Sequence, residues 1–416
     1  MPRPGLERKR GGSGRPFSLA MALLLASSAA LGEGTMRIAS FNASLNRASA
    51  GGLVADLATG TDPQARVIAE IIQRVRPDVL LLNEFDFDAD QEGARLFAER
   101  YLASPQGGAE AIHYAHRFSA PVNTGVPSGF DLDRDGRSDG PGDAWGFGAF
   151  PGQYGMLVLS QLPIEAAQLR SFRELRWRSM PGALIPPDWY AADAEAQLRL
   201  SSKSHWDLPL RWPAGHGEPP RTLHLLASHP TPPAFDGPED RNGRRNHDEI
   251  RLWSDYLDPS RAGYIVDDQG GRGGLDPSAT FVIAGDLNAD PNDGGSHPEA
   301  IRRLLAHPRV HPEVALGARI PASAGAQEAA ARQGGANGAH RGMARFDTAD
   351  FGDRPGGPGN LRVDYVLPSS NLIVCGSGVF WPPASDPLRR LAEDDAAKGS
   401  DHRLVWVDVA LDAACP

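Results

Sequence analysis

The sequence predicts an α/β fold from two kinds of observation. Short apolar segments rich in β-branched residues alternate with segments in which apolar residues recur at the spacing of an amphipathic helix. Most of the apolar segments end on a polar residue, at the position where open α/β sheets bind ligands. With 416 residues, 41% of them apolar, the chain can bury a large core. No internal repeat or interdomain linker is visible, so we expect one domain.

The clearest strand lies in residues 280–290, TFVIAGDLNAD. A short apolar run is followed at once by Gly285, which is typical of a buried strand that ends in a sharp turn. Asp286 and Asn288 come next, and residues i and i+2 of an extended segment point to the same side. The pair is either an Asx-rich turn or a carboxylate and a carboxamide that project together from the sheet edge. This segment alone leaves both readings open.

The N-terminal half alternates between helices and strands. One helical pattern covers residues 63–76, with Thr61 or Asp62 as its cap and Pro77 directly after it. A second covers residues 91–102. Strands are predicted at residues 36–41, 78–82, 111–118, 154–160 and 164–169, the last two as a pair joined by a turn.

Residues 119–153 are predicted to form a long glycine-rich loop. The loop contains Asp131, Asp133 and Asp135, three carboxylates on alternate residues before a glycine. Hard cations such as Ca²⁺ favour oxygen ligands gathered around one tight turn, so a structural calcium loop is one reading and a solvated turn is the other. The complete twelve-residue helix–loop–helix pattern fails because Gly142 stands where a bidentate glutamate is needed.

The C-terminal half resumes the pattern after residues 171–220, a polar segment whose weak periodicity indicates an irregular insertion or a lid. Helices are expected at 244–257 and 298–306. Residues 309–360, rich in alanine and glycine, are expected to be an irregular surface insertion. Further strands are predicted at residues 221–227, 280–284, 361–367, 372–380 and 403–409.

The first 32 residues have the layout of a secretory signal peptide. Basic residues between Arg8 and Arg15 precede an apolar run at 17–31, and small residues close that run. The run is short for a membrane span, and no other stretch reaches that length. We therefore expect the mature chain, residues 33–416, to be secreted or periplasmic and without a transmembrane segment. We also expect a monomer.

Charge and cysteine content narrow the function classes. Residues 1–32 hold five basic residues and Glu7, so their removal changes the formal net charge from −10 to −14. An acidic chain is not expected to bind polyanions tightly, because such binding depends largely on Lys and Arg side chains that contact phosphates. An anionic substrate that is held by a metal ion is not excluded. Cys375 and Cys415 are too few for a zinc knuckle and form either one disulfide or a free pair.

Similar polar residues follow strand after strand. Oxygen-bearing Asn42, Glu84 and Asp401 suit a hard divalent cation. Two histidines near such a site suit a general acid or donors to a developing oxyanion, because their charge is easily tuned around neutral pH. Asp364 lies within an otherwise apolar strand, where a buried carboxylate needs a partner. The remaining members of the set are His229, Asp286, Asn288 and His402.

Seven motifs lie in register between about residue 36 and residue 410: FNASL, LLNEFD, YGMLVLSQLPI, SHPTPP, IAGDLNADP, RVDYVLP and SDHRLVWVDV. In this order they resemble the endonuclease/exonuclease/phosphatase superfamily, to which pancreatic-type deoxyribonucleases, abasic-site endonucleases and sphingomyelinases belong. GDLNADP together with SDH is the most specific pair. The resemblance implies a four-layer α/β sandwich, two mixed β-sheets packed face to face and flanked by helices. It also implies phosphoester hydrolysis assisted by Mg²⁺ or Mn²⁺.

The resemblance further implies a metal-binding role for three residues. Asn42 and Glu84 match metal-ligand positions of the superfamily. Asp401 either joins them or serves the second site proposed for some relatives. No covalent step is implied, and the sequence shows no nucleophilic Ser or Cys motif that contradicts this.

The other matched residues take catalytic roles by the same resemblance. Asp286 corresponds to the residue that orients or deprotonates the attacking water, and Asn288 to a hydrogen-bond donor to the phosphate. His402 is similar to the histidine that contacts the scissile phosphate, held in orientation by Asp364. His229 falls where relatives stabilise the phosphate or protonate the leaving group.

The sequence therefore predicts a secreted, divalent-metal-dependent phosphoesterase that acts on phosphodiesters. Nucleic acid, small phosphodiesters and phospholipid headgroups stay open as substrates, although basic runs interleaved with aromatics, typical of extended nucleic-acid binding, are absent from the sequence. The alternative is a non-catalytic, calcium-stabilised extracellular binding module on the same fold. The complete set of matched polar residues weighs against that alternative.

Overall fold

The computed structural model describes residues 35–213, 219–352, 354–392, 399–411 and 415, and the predicted signal peptide lies outside them. Within these ranges no helix has the length and apolar character needed to cross a membrane. The strands are β1 (Thr35–Asn42), β2 (Val79–Asn83), β3 (His116–Phe118), β4 (Met156–Ser160), β5 (Arg170–Ser171), β6 (His205–Trp212), β7 (Arg221–Ser228), β8 (Thr280–Asp286), β9 (Ala349–Asp350), β10 (Asn360–Leu361), β11 (Asp364–Pro368), β12 (Ile373–Val379) and β13 (Val405–Ala410).

The helices are mostly short. The α-helices are α1 (Gly52–Ala58), α2 (Pro63–Val75), α3 (Glu92–Leu96), α4 (Ala192–Glu195), α5 (Arg241–Tyr256), α6 (Pro298–Leu305), α7 (Pro312–Ala315) and α8 (Ala324–Gln333). A π-helix, Phe97–Leu102, continues α3. The 3₁₀ turns are Pro141–Asp143, Ala166–Gln168, Trp177–Ser179, Ala262–Tyr264, Gly335–Ala339, Ala344–Phe346 and Pro387–Leu391.

Two mixed β-sheets form the centre of the fold. The first has the strand order β12-β13-β1-β2-β4-β3, in which β1 and β2 are parallel and the other neighbours are antiparallel. The second has the order β11-β8-β7-β6-β5, in which β7 and β8 are parallel and the rest are antiparallel. A separate pair, β9 and β10, lies in the segment before β11.

Three apolar cores define four layers. The middle core joins the inner faces of the two sheets, with Ile38 and Leu81 on one side and Leu225 and Val282 on the other. A second core packs the outer face of the first sheet against α1, α2 and α3. A third packs the outer face of the second sheet against α5 and α6. The predicted four-layer α/β sandwich is confirmed.

Strand β8 shows why the sequence encodes this arrangement. Phe281 and Ile283 point into the helix-facing core, whereas Val282 and Ala284 point into the core between the sheets. A strand buried on both faces is apolar at every position, which is the pattern seen in the sequence. At its end, a Cβ on Gly285 would lie 2.0 Å from the Ser228 carbonyl oxygen, so the close approach of β7 requires glycine here.

The prediction of an irregular segment at residues 171–220 was wrong for residues 205–212, which form β6 and pair with β7 over its whole length. Trp206, Leu208 and Leu210 alternate along β6 and enter the core between the sheets. Pro209 and the charged Asp207 obscured this period of two, since proline normally argues against an interior strand. In the structure Asp207 is satisfied by hydrogen bonds with His224 and Tyr256.

Two further predictions need correction. Residues 154–160 and 164–169 do not form a hairpin, because β4 pairs with β2 and β3 in the first sheet, whereas Ile164 bridges to Leu210 in the second. Residues 309–360 are not wholly irregular, because they hold α7, α8, β9 and β10. Alanine-rich α8 has weak amphipathic contrast, but the Ser323 hydroxyl caps it by accepting from the Ala326 N–H at 3.1 Å.

The cysteine question is resolved in favour of a bridge. Cys375 on β12 and Cys415 near the C-terminus form a disulfide. A bridge of this kind is typical of chains that fold in an oxidising compartment.

Candidate active site

Strand direction brings the predicted site residues to one rim of the two sheets. Asn42 and Asp286 end β1 and β8, and His229 follows β7 directly. Because β1 and β2 are parallel, as are β7 and β8, the carboxyl ends of each pair meet at one edge. Asp364 begins β11, which runs antiparallel to β8 and places Asp364 opposite Asp286. The strands that run towards the rim end at site residues, and β11, which runs away from the rim, begins at the site residue Asp364.

The Asp286 carboxylate is the centre of the cluster. Its Oδ2 accepts a hydrogen bond from Asn42 Nδ2 at 3.1 Å and lies 3.4 Å from His229 Nε2 and 3.7 Å from His402 Nε2. Asn288 donates to it twice, from the backbone N–H to Oδ1 at 2.9 Å and from Nδ2 to Oδ2 at 3.3 Å. Asp286 itself is 1% exposed. Four polar side chains therefore converge on one buried carboxylate.

His402 is held between two carboxylates. Its Nδ1 lies 2.9 Å from Asp364 Oδ2, which fixes the ring with Nε2 towards Asp286. The Phe351 ring packs edge-on against the imidazole at a centroid distance of 5.5 Å. The segment around Phe351 is tied down by a β-bridge between Ala349 and His402. Both the proton position and the tilt of this imidazole are thus set by its neighbours.

Thr348 supports this arrangement and was missed by sequence reasoning. Its hydroxyl donates to Asp364 Oδ2 at 2.8 Å and accepts from the backbone N–H groups of Val363 and Asp364 at 3.0 and 2.9 Å. The sequence placed Thr348 in an irregular insertion, and an isolated threonine carries no signal of such a role. Asn83, whose Oδ1 accepts from the Asp286 N–H at 3.1 Å, was also missed, although it adjoins Glu84.

Two replacements of Thr348 should distinguish the contribution of its hydroxyl to stability from the contribution of its side-chain shape. Thr348→Val keeps the volume but leaves two buried N–H groups without an acceptor, so we expect the free energy of unfolding to fall by about 1–3 kcal/mol. Thr348→Ser keeps the hydroxyl and should stay close to the wild type. Urea unfolding of the three proteins measures this, and equal stability of the valine and serine variants would show that the hydroxyl contributes nothing.

Glu84 and Asn42 form the oxygen-rich part of the site. Asn42 Nδ2 donates to Glu84 Oε1 at 3.0 Å, and Asn46 Nδ2 donates to Oε2 at 2.9 Å. Glu84 has a positive φ of 58°, a strained conformation for a residue with a side chain and one often found at functional sites. With Asp286 beside Asn42, three oxygen-bearing side chains converge, which suits a hard divalent cation. The Asn42 oxygen accepts from the Ser44 N–H at 3.1 Å, so Asn42 would offer this oxygen to the cation with the amide turned over.

Asp401 is not part of this hydrogen-bonded cluster. Its side chain is exposed, although its charge acts on His402, and its backbone carbonyl accepts from the Asp350 N–H at 2.8 Å. The group whose ligand atoms lie within 4.8 Å of one another is instead Asp286, Asp364 and His402. A metal-binding role for Asp401 therefore stays a prediction.

The surroundings push the two imidazole pKa values apart. Burial opposes protonation of His402, but Asp364 and Asp286 outweigh it and hold the pKa of His402 well above its ordinary value. Burial and then the charge of Lys203 lower the pKa of His229, in spite of Asp286. At neutral pH the site thus holds a protonated His402 beside a neutral His229. Opposed shifts of this kind distinguish different proton-transfer roles.

Asp286 keeps its charge. Burial alone would raise the pKa of Asp286, but His402 and the hydrogen bonds from His229 and Asn42 outweigh burial and hold the pKa well below its usual range. An ionised Asp286 can accept hydrogen bonds at every physiological pH. Two buried atoms beside it, His229 Nδ1 and Asp364 Oδ1, have no hydrogen-bond partner within the described ranges.

The predicted calcium loop has a different set of carboxylates from the one the sequence indicated. Oxygens of Asp131, Asp133 and Asp143 lie within 4.8 Å of one another. Asp135 is not in this group and instead accepts from the Arg137 N–H at 2.8 Å. Asp143 stands one place beyond the glycine that broke the twelve-residue pattern, so spacing alone could not find it. Calcium binding by this loop stays a prediction.

A buried carboxyl next to Thr348 should make stability depend on pH. Burial first, then the charges of Asp290, Asp293 and Asp350, raise the pKa of Asp347 to about 8. The folded chain therefore binds this proton more tightly than the unfolded chain, whose aspartate pKa is about 3.9. The contribution to stability is complete below the unfolded pKa and is lost as the pH rises towards 8.

Asp347→Asn tests this dependence, because asparagine stays neutral. Relative to the wild type, the variant should gain about 1.4 kcal/mol of stability for each pH unit inside that window, in total several kcal/mol. Urea unfolding at pH 5 and pH 8.5 measures the difference. Parallel pH dependence of the two proteins would contradict the burial of an uncharged Asp347.

The fold and the site together define a class: four-layer α/β sandwiches with a polar, oxygen-rich centre at one rim of the sheets. The chain belongs to the Endonuclease/Exonuclease/phosphatase family, whose model matches residues 39–402. Members of this family are phosphoesterases, and they use divalent metals. The resemblance inferred from the seven motifs is confirmed.

Several solved structures align with the chain. An endonuclease/exonuclease/phosphatase from Beutenbergia cavernae DSM 12333 is 18% identical, with 92% of this chain and 72% of that chain covered and a TM-score of 0.48. A family protein from Leptotrichia buccalis C-1013-b is 13% identical, with 91% of this chain and 100% of that chain covered and a TM-score of 0.44. Sphingomyelinase C from Streptomyces griseocarneus is 14% identical, with 90% of this chain and 99% of that chain covered and a TM-score of 0.42. No curated protein sequence matches the chain.

Proposed function

We propose that the chain is a divalent-metal-dependent phosphodiesterase. A water oriented at the rim forms a bond to phosphorus, the bond from phosphorus to the leaving oxygen breaks, and the water proton passes to Asp286. The observation that carries this proposal is the buried Asp286 carboxylate, on which Asn42, Asn288, His229 and His402 converge. An ionised carboxylate can accept from the attacking water, and imidazoles can donate to the oxygens on which negative charge develops.

Glu84 and Asn42 would hold the cation, Mg²⁺ or Mn²⁺. When bound, the cation supplies positive charge against the phosphoryl oxygens. The two side chains lie 3.0 Å apart at the ends of adjacent parallel strands, so their spacing is fixed by the sheet and not by a mobile loop. Asp401 would join them from the segment before β13.

Each remaining side chain has a role that follows from its charge. Ionised Asp286 accepts a hydrogen bond from the attacking water and orients it. Protonated His402 donates to a phosphoryl oxygen that becomes more negative in the transition state, and Asp364 holds its ring. Neutral His229 has a single N–H, directed at Asp286, and the Asn288 amide nitrogen donates to Asp286 and to the Pro230 carbonyl. Each would turn one of these donors to the same phosphoryl group when the substrate binds. His229 is better suited to stabilise the phosphate than to protonate a leaving group, because its pKa is lowered.

We also propose export to the periplasm or the extracellular medium. The basic and apolar segments of residues 1–32 support this, as does the disulfide between Cys375 and Cys415. N-terminal sequencing of the protein recovered from a fractionated expression host checks it. A mature N-terminus near residue 33 in the exported fraction is expected, and a full-length chain retained in the cytoplasm would contradict it.

The activity is tested with bis-p-nitrophenyl phosphate and p-nitrophenyl phosphate, each with Mg²⁺, Mn²⁺ or Ca²⁺. We expect faster release of p-nitrophenolate from the diester, and its loss in Asp286→Ala and His402→Ala. Equal background from all three proteins under every cation would overturn the proposal and leave a calcium-stabilised binding module. A panel of DNA, RNA, phosphomonoesters and sphingomyelin then identifies the substrate class.

A further inference from the structure

Lys203 lies at the same rim as the proposed catalytic residues, and nothing in the motifs indicated it. It stands two residues before β6, whose first residue, His205, pairs with Ser228 at the end of β7. The antiparallel register therefore places the segment before β6 beside His229. The Ser202 hydroxyl oxygen in that segment lies 3.4 Å from the His229 carbonyl oxygen.

The Lys203 side chain is largely buried, and its ammonium has no fixed partner. The residue is 6% exposed, and within the described ranges its Nζ forms neither a hydrogen bond nor an ion pair. Its backbone is held in place, because its carbonyl accepts from the Asn123 N–H at 2.9 Å. It is also the one lysine in the described ranges, since Lys9 and Lys398 lie outside them. Because a buried charge normally has a partner, we expect this ammonium to bind an anionic ligand.

The nearest structural explanation is neutralisation of buried Glu249, but that carboxylate is already satisfied. Its Oε1 accepts from the Ser202 N–H at 2.6 Å and from the Ser202 hydroxyl at 3.0 Å, and its Oε2 accepts from the Thr231 N–H at 2.7 Å. The other carboxylates that act on the Lys203 charge are Glu84 and Asp286. The ammonium thus shares its electrostatic surroundings with the catalytic centre.

We propose that Lys203 binds a non-bridging oxygen of the substrate phosphoryl group, which makes it a further substrate-binding residue. The inference rests on the proposed function, since it assumes that a phosphoryl group enters the rim. A lysine ammonium is a compact point charge with three donors, and it can hold one tetrahedral oxygen without the planar geometry that an arginine needs. Together with His402 it offsets the negative charge of Glu84, Asp286 and the incoming phosphate.

Binding of inorganic phosphate to the full-length, Mn²⁺-loaded protein, followed by calorimetry, tests the inference without turnover. Lys203→Met should weaken phosphate binding by roughly 10- to 100-fold, the value of a charge-assisted hydrogen bond. The same variant should bind Mn²⁺ equally or more tightly, because a positive charge near Glu84 has been removed. Lys203→Arg should retain part of the phosphate affinity. Arg211→Met, which removes an exposed cation paired with Glu165, is the matched control and should change neither affinity.

A purely structural role gives the opposite pattern. If Lys203 only neutralises Glu249, Lys203→Met lowers the melting temperature, Lys203→Met/Glu249→Gln restores it, and phosphate affinity per folded molecule stays at the wild-type value. That result would overturn the inference, as would failure of the wild type to bind phosphate.

Lysine-selective ¹³C labelling provides a test that needs no variant. Lys9 and Lys398 contribute the only other lysine signals, so the Lys203 side-chain resonance can be followed directly. It should shift on addition of phosphate to the metal-free protein and to the protein loaded with diamagnetic Mg²⁺, and an unmoved Lys203 signal at saturating phosphate would overturn the inference. Lys203-dependent phosphate binding without hydrolysis of any substrate would overturn the proposed function alone. Hydrolysis with phosphate binding independent of Lys203 would overturn this inference alone.

Discussion

Asp286→Asn should lower kcat/KM for bis-p-nitrophenyl phosphate by about 10³- to 10⁴-fold, the upper range for loss of a group that assists proton transfer. The substitution keeps the shape of the side chain and the backbone contacts with Asn288. It removes the charge that orients the attacking water and that holds the pKa of His402 high. Initial rates at saturating Mn²⁺ measure the change, and a melting curve verifies that the variant is folded.

Asp290→Asn is the matched control, because it makes the same chemical change four residues further along the same segment. Asp290 is buried as well, but its carboxylate accepts from the backbone N–H groups of Asn292 and Arg362, away from the centre of the site. Its kcat/KM per folded molecule should stay at the wild-type value. Equal losses in the two variants would show that Asp286 acts through the fold and not through the chemistry.

His402→Gln should lower kcat/KM by about 10²- to 10³-fold, as expected for one preorganised donor to developing negative charge. Glutamine can still donate a hydrogen bond, but it carries no positive charge. His224→Gln is the matched control, since His224 is also paired with an aspartate through Nδ1, at 2.6 Å from Asp207 Oδ1. That variant should retain its activity, and a comparable loss in it would contradict the special role of His402.

The pH dependence of kcat/KM provides a second test of the role of His402. Because carboxylates raise its pKa, the imidazolium that the mechanism uses persists to alkaline pH and is lost as the pH rises through that raised value. Asp364→Asn removes one of the two carboxylates and should move the alkaline limit of kcat/KM to lower pH. A limit that stays in place, or moves upwards, would contradict the assignment of the protonated form.

The rim residues could be predicted because strand geometry determines where they meet. Apolar runs end visibly in the sequence, and Asn42, Glu84, His229 and Asp286 each stand at such an end. Parallel pairing then brings them to one edge. The hydrogen bonds among them could not be predicted, because they depend on how the two sheets face each other.

The parts that the sequence did not reveal have separate physical reasons. Strand β6 was obscured because Pro209 interrupts its alternation, yet the strand tolerates it between β5 and β7. Thr348 and Lys203 act through contacts that depend on long-range pairing, so no local pattern marks them. Asp143 completes the carboxylate group of the loop only because the chain turns at Gly140 and brings it back to Asp131 and Asp133.

The rate of bis-p-nitrophenyl phosphate hydrolysis as a function of Mn²⁺ concentration, for the wild type and for Glu84→Gln, tests the proposed metal-assisted hydrolysis most directly. We expect the wild-type rate to rise to saturation and to return to background with a chelator. Glu84→Gln should need much higher Mn²⁺ to reach saturation. A wild-type rate at background under every Mn²⁺ concentration, or identical titrations of the two proteins, would contradict a metal-assisted phosphoesterase centred on this rim.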